Sequence, residues 1–332
     1  MALVTIRAAR SFDDMGLSVY GAAPISRWSS PADAPACGAV RVSQIDMVTG
    51  VDRRASTSGG LSITIDVEDH AGAPADYRFR EAMRPLIDGL REQGVHATFF
   101  VVGTLASEWK EDMRELAAEG HEIGLHGFTH TLLAELGPAR FADELERGRD
   151  LLAGFLGEAP MGFRAPYFSL TKDTPWAPEL IAKAGFLYSS SVLPAWNPQA
   201  GLQGAPRQPF RWQSGVIEFP SPVFGLGRWR LPILGGAYLR LAPAPLVRLA
   251  SRSAVGPRGR WTYSHPYDFD VEERFMRRDG QSWPFAKLLF ARRHLMMRRV
   301  LSLTGPGSVT LRAIAADPAF RDSLPQYSFD AA

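Results

Sequence analysis

The chain reads as an α/β protein in which βα units build a parallel sheet or barrel. Three observations predict this class. Strand-length apolar runs alternate with amphipathic helical stretches, and glycines at positions 120 and 185 stop two of those helices. Four short polar clusters also sit at the ends of strand-like runs. The clusters are Asp66-Val67-Glu68-Asp69-His70, His126-Gly127-Phe128-Thr129-His130, Arg164-Ala165-Pro166-Tyr167 and Ser264-His265-Pro266.

The regular pattern begins at Leu61. Leu61–Val67 is a mostly apolar run of strand length, and Arg80–Gln93 has the spacing of an amphipathic helix. Ala97–Val102 reads as a buried strand, Glu108–Glu119 as a helix and Glu122–Leu125 as the next strand. A helix over Arg140–Leu156 precedes a short strand at Gly162–Arg164, and one over Pro178–Ala184 leads to a strand at Phe186–Ser189. Val216–Phe219 and Trp261–Tyr263 are later strands, separated by a Gly-, Pro- and Arg-rich stretch at 221–260 that reads as a long insertion over one face. Residues 1–59 differ. Pro24, Pro31 and Pro35 break periodicity, and Ser56-Thr57-Ser58-Gly59-Gly60 reads as a joint, which predicts an irregular or partly disordered extension.

Composition excludes several function classes. Hydrophobic content of 45% and charged content of 22% are those of a globular protein, and a net charge of +2 demands no polyanionic partner, so no nucleic acid is expected. Arg292, Arg293, Arg298 and Arg299 cluster on a helical stretch and read as a solvated face. A single cysteine, Cys37, precludes an internal disulfide and a thiolate metal cluster. No apolar run reaches the length of a membrane-spanning helix, and the N-terminus lacks a signal-peptide core, so cytoplasmic residence is expected.

Each cluster has a chemical reading and a plainer one. His126 and His130 would project from one side of a helical turn, a spacing that suits two ligands of one cation and also arises among ordinary histidines. The strand before Asp66 delivers three carboxylates, and alternation sends Asp66 and Glu68 the same way. Crowded carboxylates stay ionised when a cation or an Arg offsets them, and one can ligate a metal while another takes a proton from water; a solvated acidic turn is the alternative. Arg164 could orient a carboxylate or form a salt bridge elsewhere. Pro166 leaves the Tyr167 N–H as a candidate oxyanion donor, and His265 could protonate a leaving amine or be structural.

In this order and spacing, over roughly 61–270, the clusters resemble the NodB-homology polysaccharide deacetylases, carbohydrate esterase family four. The Asp-Val-Glu-Asp form, Phe163-Arg-Ala-Pro-Tyr-Phe-Ser, Glu218-Phe-Pro and Gly235-Gly-Ala-Tyr are similar to a subgroup associated with exosortase loci and exopolysaccharide biosynthesis. The resemblance implies a distorted (β/α) barrel over 60–270 with its site at the C-terminal mouth, and a helical extension over 271–332 packed on it. It implies Asp66 as general base, His126 and His130 as metal ligands, and Glu68 as third ligand with Asp69 as competitor. Arg164 would tether Asp66, Tyr167 would lend its backbone N–H, and His265 would be the general acid. Zinc is the expected ion, with cobalt, nickel and manganese as alternatives. Two positions depart from the family pattern. Gly127 stands where Ser or Thr usually follows the first His, and Ser189 stands where an Asp is common, which predicts weaker charge tuning.

The expected activity is hydrolysis of N-acetyl groups from amino sugars of a polysaccharide or its lipid-linked precursor. Tyr167, Trp196 and Tyr238 are the candidate substrate contacts, and of Trp196, Trp212, Trp229 and Tyr238, any of which could stack on a sugar ring, at least half should be core. Peripheral association with a membrane biosynthetic complex is the expected setting. Two alternatives are a C–N hydrolase acting on a small cyclic amide or imide, and a catalytically lapsed carbohydrate-binding protein motivated by Ser189.

Overall fold

Nine strands form one sheet in the computed structural model, which describes residues 60–68, 78–197, 200–252, 260–277 and 282–329. The extension expected over 1–59 and the candidate ligand Asp69 lie outside the described residues. In chain order the first half comprises β1 (Ser62–Val67), α1 (Phe79–Glu92), β2 (Thr98–Val101), α2 (Gly103–Ala106), α3 (Lys110–Ala118), β3 (Glu122–Leu125), α4 (Leu133–Leu156), β4 (Gly162–Phe163), α5 (Ala177–Lys183) and β5 (Tyr188–Ser189). The second half comprises β6 (Phe210–Trp212), β7 (Ile217–Glu218), α6 (Gly236–Leu241), α7 (Ala244–Arg252), β8 (Trp261–Ser264), α8 (Trp283–Phe290), α9 (Met296–Leu301), α10 (Leu311–Ala316), α11 (Pro318–Asp322) and β9 (Gln326–Tyr327).

The strand order is β8-β1-β2-β3-β4-β5-β7-β6-β9, and every pairing is parallel except β6 with β7. Among the described residues no ladder joins β8 to β9, so the sheet is open by hydrogen bonding. All six residues of β1 are buried, as a parallel strand covered on both faces requires. Helix α1 buries Phe79, Ala82, Met83, Leu86, Ile87 and Leu90, the i, i+3, i+4, i+7 stripe of a surface helix.

The differences from the sequence reading have local causes. Helix α4 begins at Leu133 rather than Arg140, with a break at Gly137 (φ 69°, ψ 171°). Pro138 forbids the helical conformation to the residue before it, and glycine takes the extended left-handed alternative. Strands β6 and β9 are too short for a periodic signal, and β9 joins the sheet through Arg211↔Gln326 and Trp212↔Tyr327. The 221–260 stretch is partly ordered as α6 and α7, with a bridge from Gly235 to Tyr263 of β8.

The basic cluster is divided: Arg292 and Arg298 are exposed, as a solvated face predicts, whereas Arg299 is half-buried and Arg293 is buried. Arg292 and Arg299 donate to the carbonyls of Leu239, Leu241 and Ala242 at the end of α6, and buried Arg293 pairs with Glu273 at 2.6 Å. Guanidinium groups there satisfy carbonyls that a helix end leaves without partners. At the amino ends of the central strands, buried Glu122 accepts from Thr98 Oγ1, Tyr188 Oη and the Arg312 amide, which ties α10 to β2, β3 and β5.

Strand register brings the polar clusters together. Ile65 of β1 lies beside Ser264 of β8, and Val67 beside Val101 of β2. Val101 pairs with Leu125, and Leu125 with Phe163 of β4. Asp66, His126, Arg164 and His265 are therefore at the carboxyl ends of β1, β3, β4 and β8, four of five consecutive parallel strands, the usual place for a ligand crevice in such sheets.

Candidate active site

Asp66 is the penultimate residue of β1, buried, and its Oδ1 accepts from Arg164 Nη1 at 2.5 Å. Arg164 has no exposed surface and spends its donors locally. Nη1 also reaches Thr64 Oγ1 at 2.8 Å, Nε the Ser190 carbonyl at 3.2 Å, and Nη2 Ser190 Oγ at 3.1 Å. Its guanidinium lies 4.1 Å from the Phe100 ring centre and 4.4 Å from that of Trp261. A planar, weakly hydrated cation fits between aromatic faces where an ammonium would not. A buried carboxylate needs such a partner to remain charged.

Two residues beyond Asp66, the Glu68 side chain approaches both imidazoles of the second cluster. Its Oε2 is 3.4 Å from His126 Nε2 and 2.6 Å from His130 Nε2. One ligand atom from each of these three residues lies within 4.8 Å of the other two. The rings do not share a helical turn, in contrast to the spacing argument. They come together across a loop in which Gly127 (φ 68°) and His130 (φ 57°) are left-handed. A Cβ on Gly127 would also meet Pro166 Cγ at 2.9 Å, so the departure from Ser or Thr at this position follows from the turn and its packing. Below the loop, the Glu144 carboxylate accepts from Thr129 Oγ1 at 2.6 Å and from the amides of Phe128 and Thr129.

This donor set fits a divalent cation. His126 Nδ1 lies 3.0 Å from the Arg164 carbonyl; a carbonyl only accepts, so Nδ1 carries the proton of that bond and Nε2 is the nitrogen facing Glu68. His130 Nε2 is buried and, despite its short approach to Glu68, lacks the alignment of a hydrogen bond. Two imidazole nitrogens and a carboxylate oxygen converging on one point is what ligands of one ion look like. Burial alone would push the Glu68 carboxyl up, but His265, His126 and His130 together hold it well below the usual carboxylate range.

His265 approaches from the other flank, its Nε2 3.7 Å from Glu68 Oε1. Its Nδ1 is 2.9 Å from Asp268 Oδ2, and its ring stacks on Tyr267 at 4.7 Å with planes 8° apart. Tyr267 Oη donates to Glu68 Oε1 at 3.0 Å. Burial would lower the His265 pKa, but the negative charge of Glu68 and the Asp268 bond outweigh it and raise it to about 9. Asp268, Tyr267 and Arg240, which donates to Asp268 Oδ1 at 2.8 Å, were not singled out from sequence. The acid three residues after His265, with a proline between, is a capping-type signal that could have marked Asp268.

Tyr167 (φ 58°) and Phe168 (φ 53°) are both left-handed, and the Tyr167 ring lies 4.8 Å from that of His130. Such backbone costs of order 1 kcal/mol or more per residue and is held here by the surrounding packing. The Ala165 amide donates to Ser191 Oγ at 2.8 Å, and Ser189 Oγ donates to the same oxygen at 2.7 Å. Ser189 lies beside Glu218 in register, whose carboxylate accepts from the Ser191 amide at 2.6 Å, the Val192 amide at 2.9 Å and Trp212 Nε1 at 3.2 Å. The carboxylate near this strand end thus comes from β7, and Arg164 is held by Ser190 instead. Trp212 is core. Tyr167, Tyr238 and Trp196 are 49%, 43% and 63% exposed. Tyr238 is on α6 close to Tyr263, whereas Trp196 lies in a separate groove of about 910 Å³ with Ser169, Thr171, Lys172, Asp173 and Asn197.

Residues 57–188 match the family model described as polysaccharide deacetylase, and residues 190–304 match one described as a domain of unknown function, DUF3473. A chitooligosaccharide deacetylase from Bradyrhizobium sp. is 38% identical over 89 residues, which are 26% of this chain and 41% of that protein. A peptidoglycan-N-acetylglucosamine deacetylase from Bacillus cereus is 30% identical over 95 residues, 28% of this chain and 34% of that protein. The chain therefore spans well under half the length of these relatives. A crystal structure from Mycobacterium smegmatis, provisionally assigned as a polysaccharide deacetylase, is 21% identical with a TM-score of 0.52, covering 81% of this chain and 93% of that one. The fold is the mostly parallel α/β fold seen in that structure, and residues 57–188 are similar to polysaccharide deacetylase domains.

Proposed function

We propose that the protein is a metal-dependent hydrolase that removes N-acetyl groups from amino sugars of a polysaccharide or its lipid-linked precursor. The observation that carries this reading is the convergence of Glu68, His126 and His130 between an Arg-bound Asp66 and His265. Those three side chains would hold the ion, zinc by preference, with cobalt, nickel or manganese as substitutes. When bound, a divalent cation supplies Lewis-acid polarisation of the amide carbonyl and lowers the pKa of the attacking water.

The protein groups do the rest. Asp66 takes the proton of the attacking water, and Arg164, bonded to it, keeps that carboxylate aimed. The Tyr167 N–H, fixed on its left-handed turn, donates to the developing oxyanion. His265 gives the proton on Nε2 to the departing amine nitrogen. Exposed Tyr167 and Tyr238 offer faces for a sugar ring, and Trp196 offers a third further along.

The same proposal extends to setting. The direct succession of the two matched segments is in keeping with the exosortase- and exopolysaccharide-associated subgroup that the sequence resembles. In this reading the substrate is an intermediate handled in the cytoplasm, with peripheral contact to a membrane biosynthetic complex. No helix among the described residues is long and apolar enough to cross a membrane.

The test is acetate release from acetylated chito-oligosaccharides by metal-stripped and zinc-reloaded protein, with Asp66→Asn alongside. Zinc-dependent release abolished by the substitution supports the reading. Zinc binding without release, together with turnover of a cyclic imide, would replace it.

A further inference from the structure

The acid-side histidine is held by a buried pair that the deacetylase segment does not contain. Asp268 Oδ2 takes the His265 ring Nδ1 at 2.9 Å and the His265 backbone N–H at 3.0 Å, closing the short turn Pro266–Asp268 back on the histidine. An ionised carboxylate can only accept, so Nδ1 carries the proton of that bond and Nε2 is directed at the site. Burial would raise the Asp268 pKa, yet His265 and Arg240 bring it below the ordinary aspartate value. Its other oxygen accepts from Arg240 Nη1 at 2.8 Å, and both side chains are essentially inaccessible.

Arg240 is itself fully committed. Nε donates to the Ala291 carbonyl at 3.1 Å and Nη2 to that of Leu289 at 2.6 Å. One guanidinium therefore joins α6, the turn after β8 and the end of α8. A lysine in its place could offer a charge but not three fixed directions. The ring plane is set independently by Tyr267, stacked at 4.7 Å. On β5, where the family pattern commonly has an acid, Ser189 is occupied with Ser191, so the orienting carboxylate comes from elsewhere in the chain.

We propose that Arg240 and Asp268 are a positioning pair that fixes the tautomer and aim of His265, and that the 190–304 segment thereby supplies the proton-donating half of the active site. This rests on the deacetylase reading for what the donated proton does. The geometric part stands apart from it. An Asp268 without Arg240 would keep its bonds to His265 but lose the cation on its other oxygen, and a His265 without Asp268 would be free to protonate the wrong nitrogen.

The experiment compares wild type, Asp268→Asn and Arg240→Lys as zinc-loaded full-length protein. It measures kcat and KM for an acetylated chito-oligosaccharide, zinc stoichiometry, and the imidazole ¹⁵N–¹H spectrum, with the His265 signals assigned through His265→Gln. The expected result for Asp268→Asn is a fall in kcat of about 100-fold or more with KM within about threefold and zinc retained, and loss of the protected Nδ1–H signal. Arg240→Lys, which keeps the charge, should lose about tenfold in kcat and weaken the same signal. Persistence of the Nδ1–H signal in Asp268→Asn, or a loss carried by KM or zinc, would overturn the proposal. Should Asp268→Asn not fold, Arg240→Lys with unchanged kcat and signal would overturn it equally. If wild type releases no acetate from any glycan, the deacetylase reading fails, and the spectrum still decides whether Asp268 holds the ring.

Discussion

Replacing Arg164 with methionine keeps most of the side-chain volume and removes the cation. The structure sets the size of the effect. Arg164 is wholly buried, makes four hydrogen bonds to Asp66, Thr64 and Ser190, and lies against the rings of Phe100 and Trp261. The methionine preserves much of the packing but strands the Asp66 carboxylate, which has almost no access to water. Removing one partner of a buried ion pair costs about 3–5 kcal/mol, a large part of the total stability of a domain. The assay is equilibrium urea unfolding of wild type, Arg164→Met, Asp66→Asn and the double variant. The double variant removes the stranded charge, so it should be more stable than Arg164→Met, with a coupling of about 2 kcal/mol or more. Additive losses, or a loss below about 1 kcal/mol in Arg164→Met, would refute the claim that this arginine exists to carry Asp66.

Four further outcomes are expected. His121 is buried and its Nδ1 accepts the Ala97 amide at 3.0 Å; burial lowers its pKa to about 4, so neutrality stabilises the fold above pH 6.5. That stability, about 3 kcal/mol by linkage, should be lost as pH falls from about 6.5 to about 4, read by urea unfolding, and a flat profile matched by His121→Gln would count against it. Gly127→Ala should cost about 2 kcal/mol and weaken zinc binding about tenfold, since it forces a side chain onto a left-handed turn against Pro166; unchanged calorimetric affinity would contradict that account. Zinc at about 1,000 times its Kd should stabilise the stripped protein by about 4 kcal/mol, a gain that Glu68→Gln sharply reduces in a thermal-shift titration; an equal shift in both proteins would remove Glu68 from the ligand set. Trp196→Ala should raise KM for long acetylated oligomers several-fold and leave the shortest reactive oligomer unaffected; equal effects on both would mean the Trp196 groove does not hold sugar.

The acidic run, the paired histidines, Arg164 and His265 were legible because each is a strong chemical group placed beside a strand-length apolar run. Strand periodicity and glycine stops are local signals, so the parallel βα core could be read before any contact was known. The mistakes were of a different kind. The two histidines were read as one helical turn, when a pair of left-handed residues brings the rings together. The arginine-rich stretch was read as a solvated face, which holds for Arg292 and Arg298, but Arg293 is buried against Glu273 and Arg299 donates to carbonyls at the end of α6. At Ser189, where an acid was expected, the structure places Glu218 of the adjacent strand on the neighbouring amides and Ser190 on Arg164, an arrangement that local pattern does not encode.

The sequence by itself determined which residues can bind a cation, take a proton and give one, because those capacities are properties of single side chains at strand ends. Only the tertiary structure decided how each is held. Thr64 and Arg164 are 100 positions apart and Arg240 and Asp268 28 apart, and no periodicity encodes either pairing. Burial is what makes those pairings matter. A carboxylate or guanidinium in water needs no particular partner, whereas one sealed beneath a sheet and its helices must find its partner at hydrogen-bonding distance, and that distance is set by the fold as a whole.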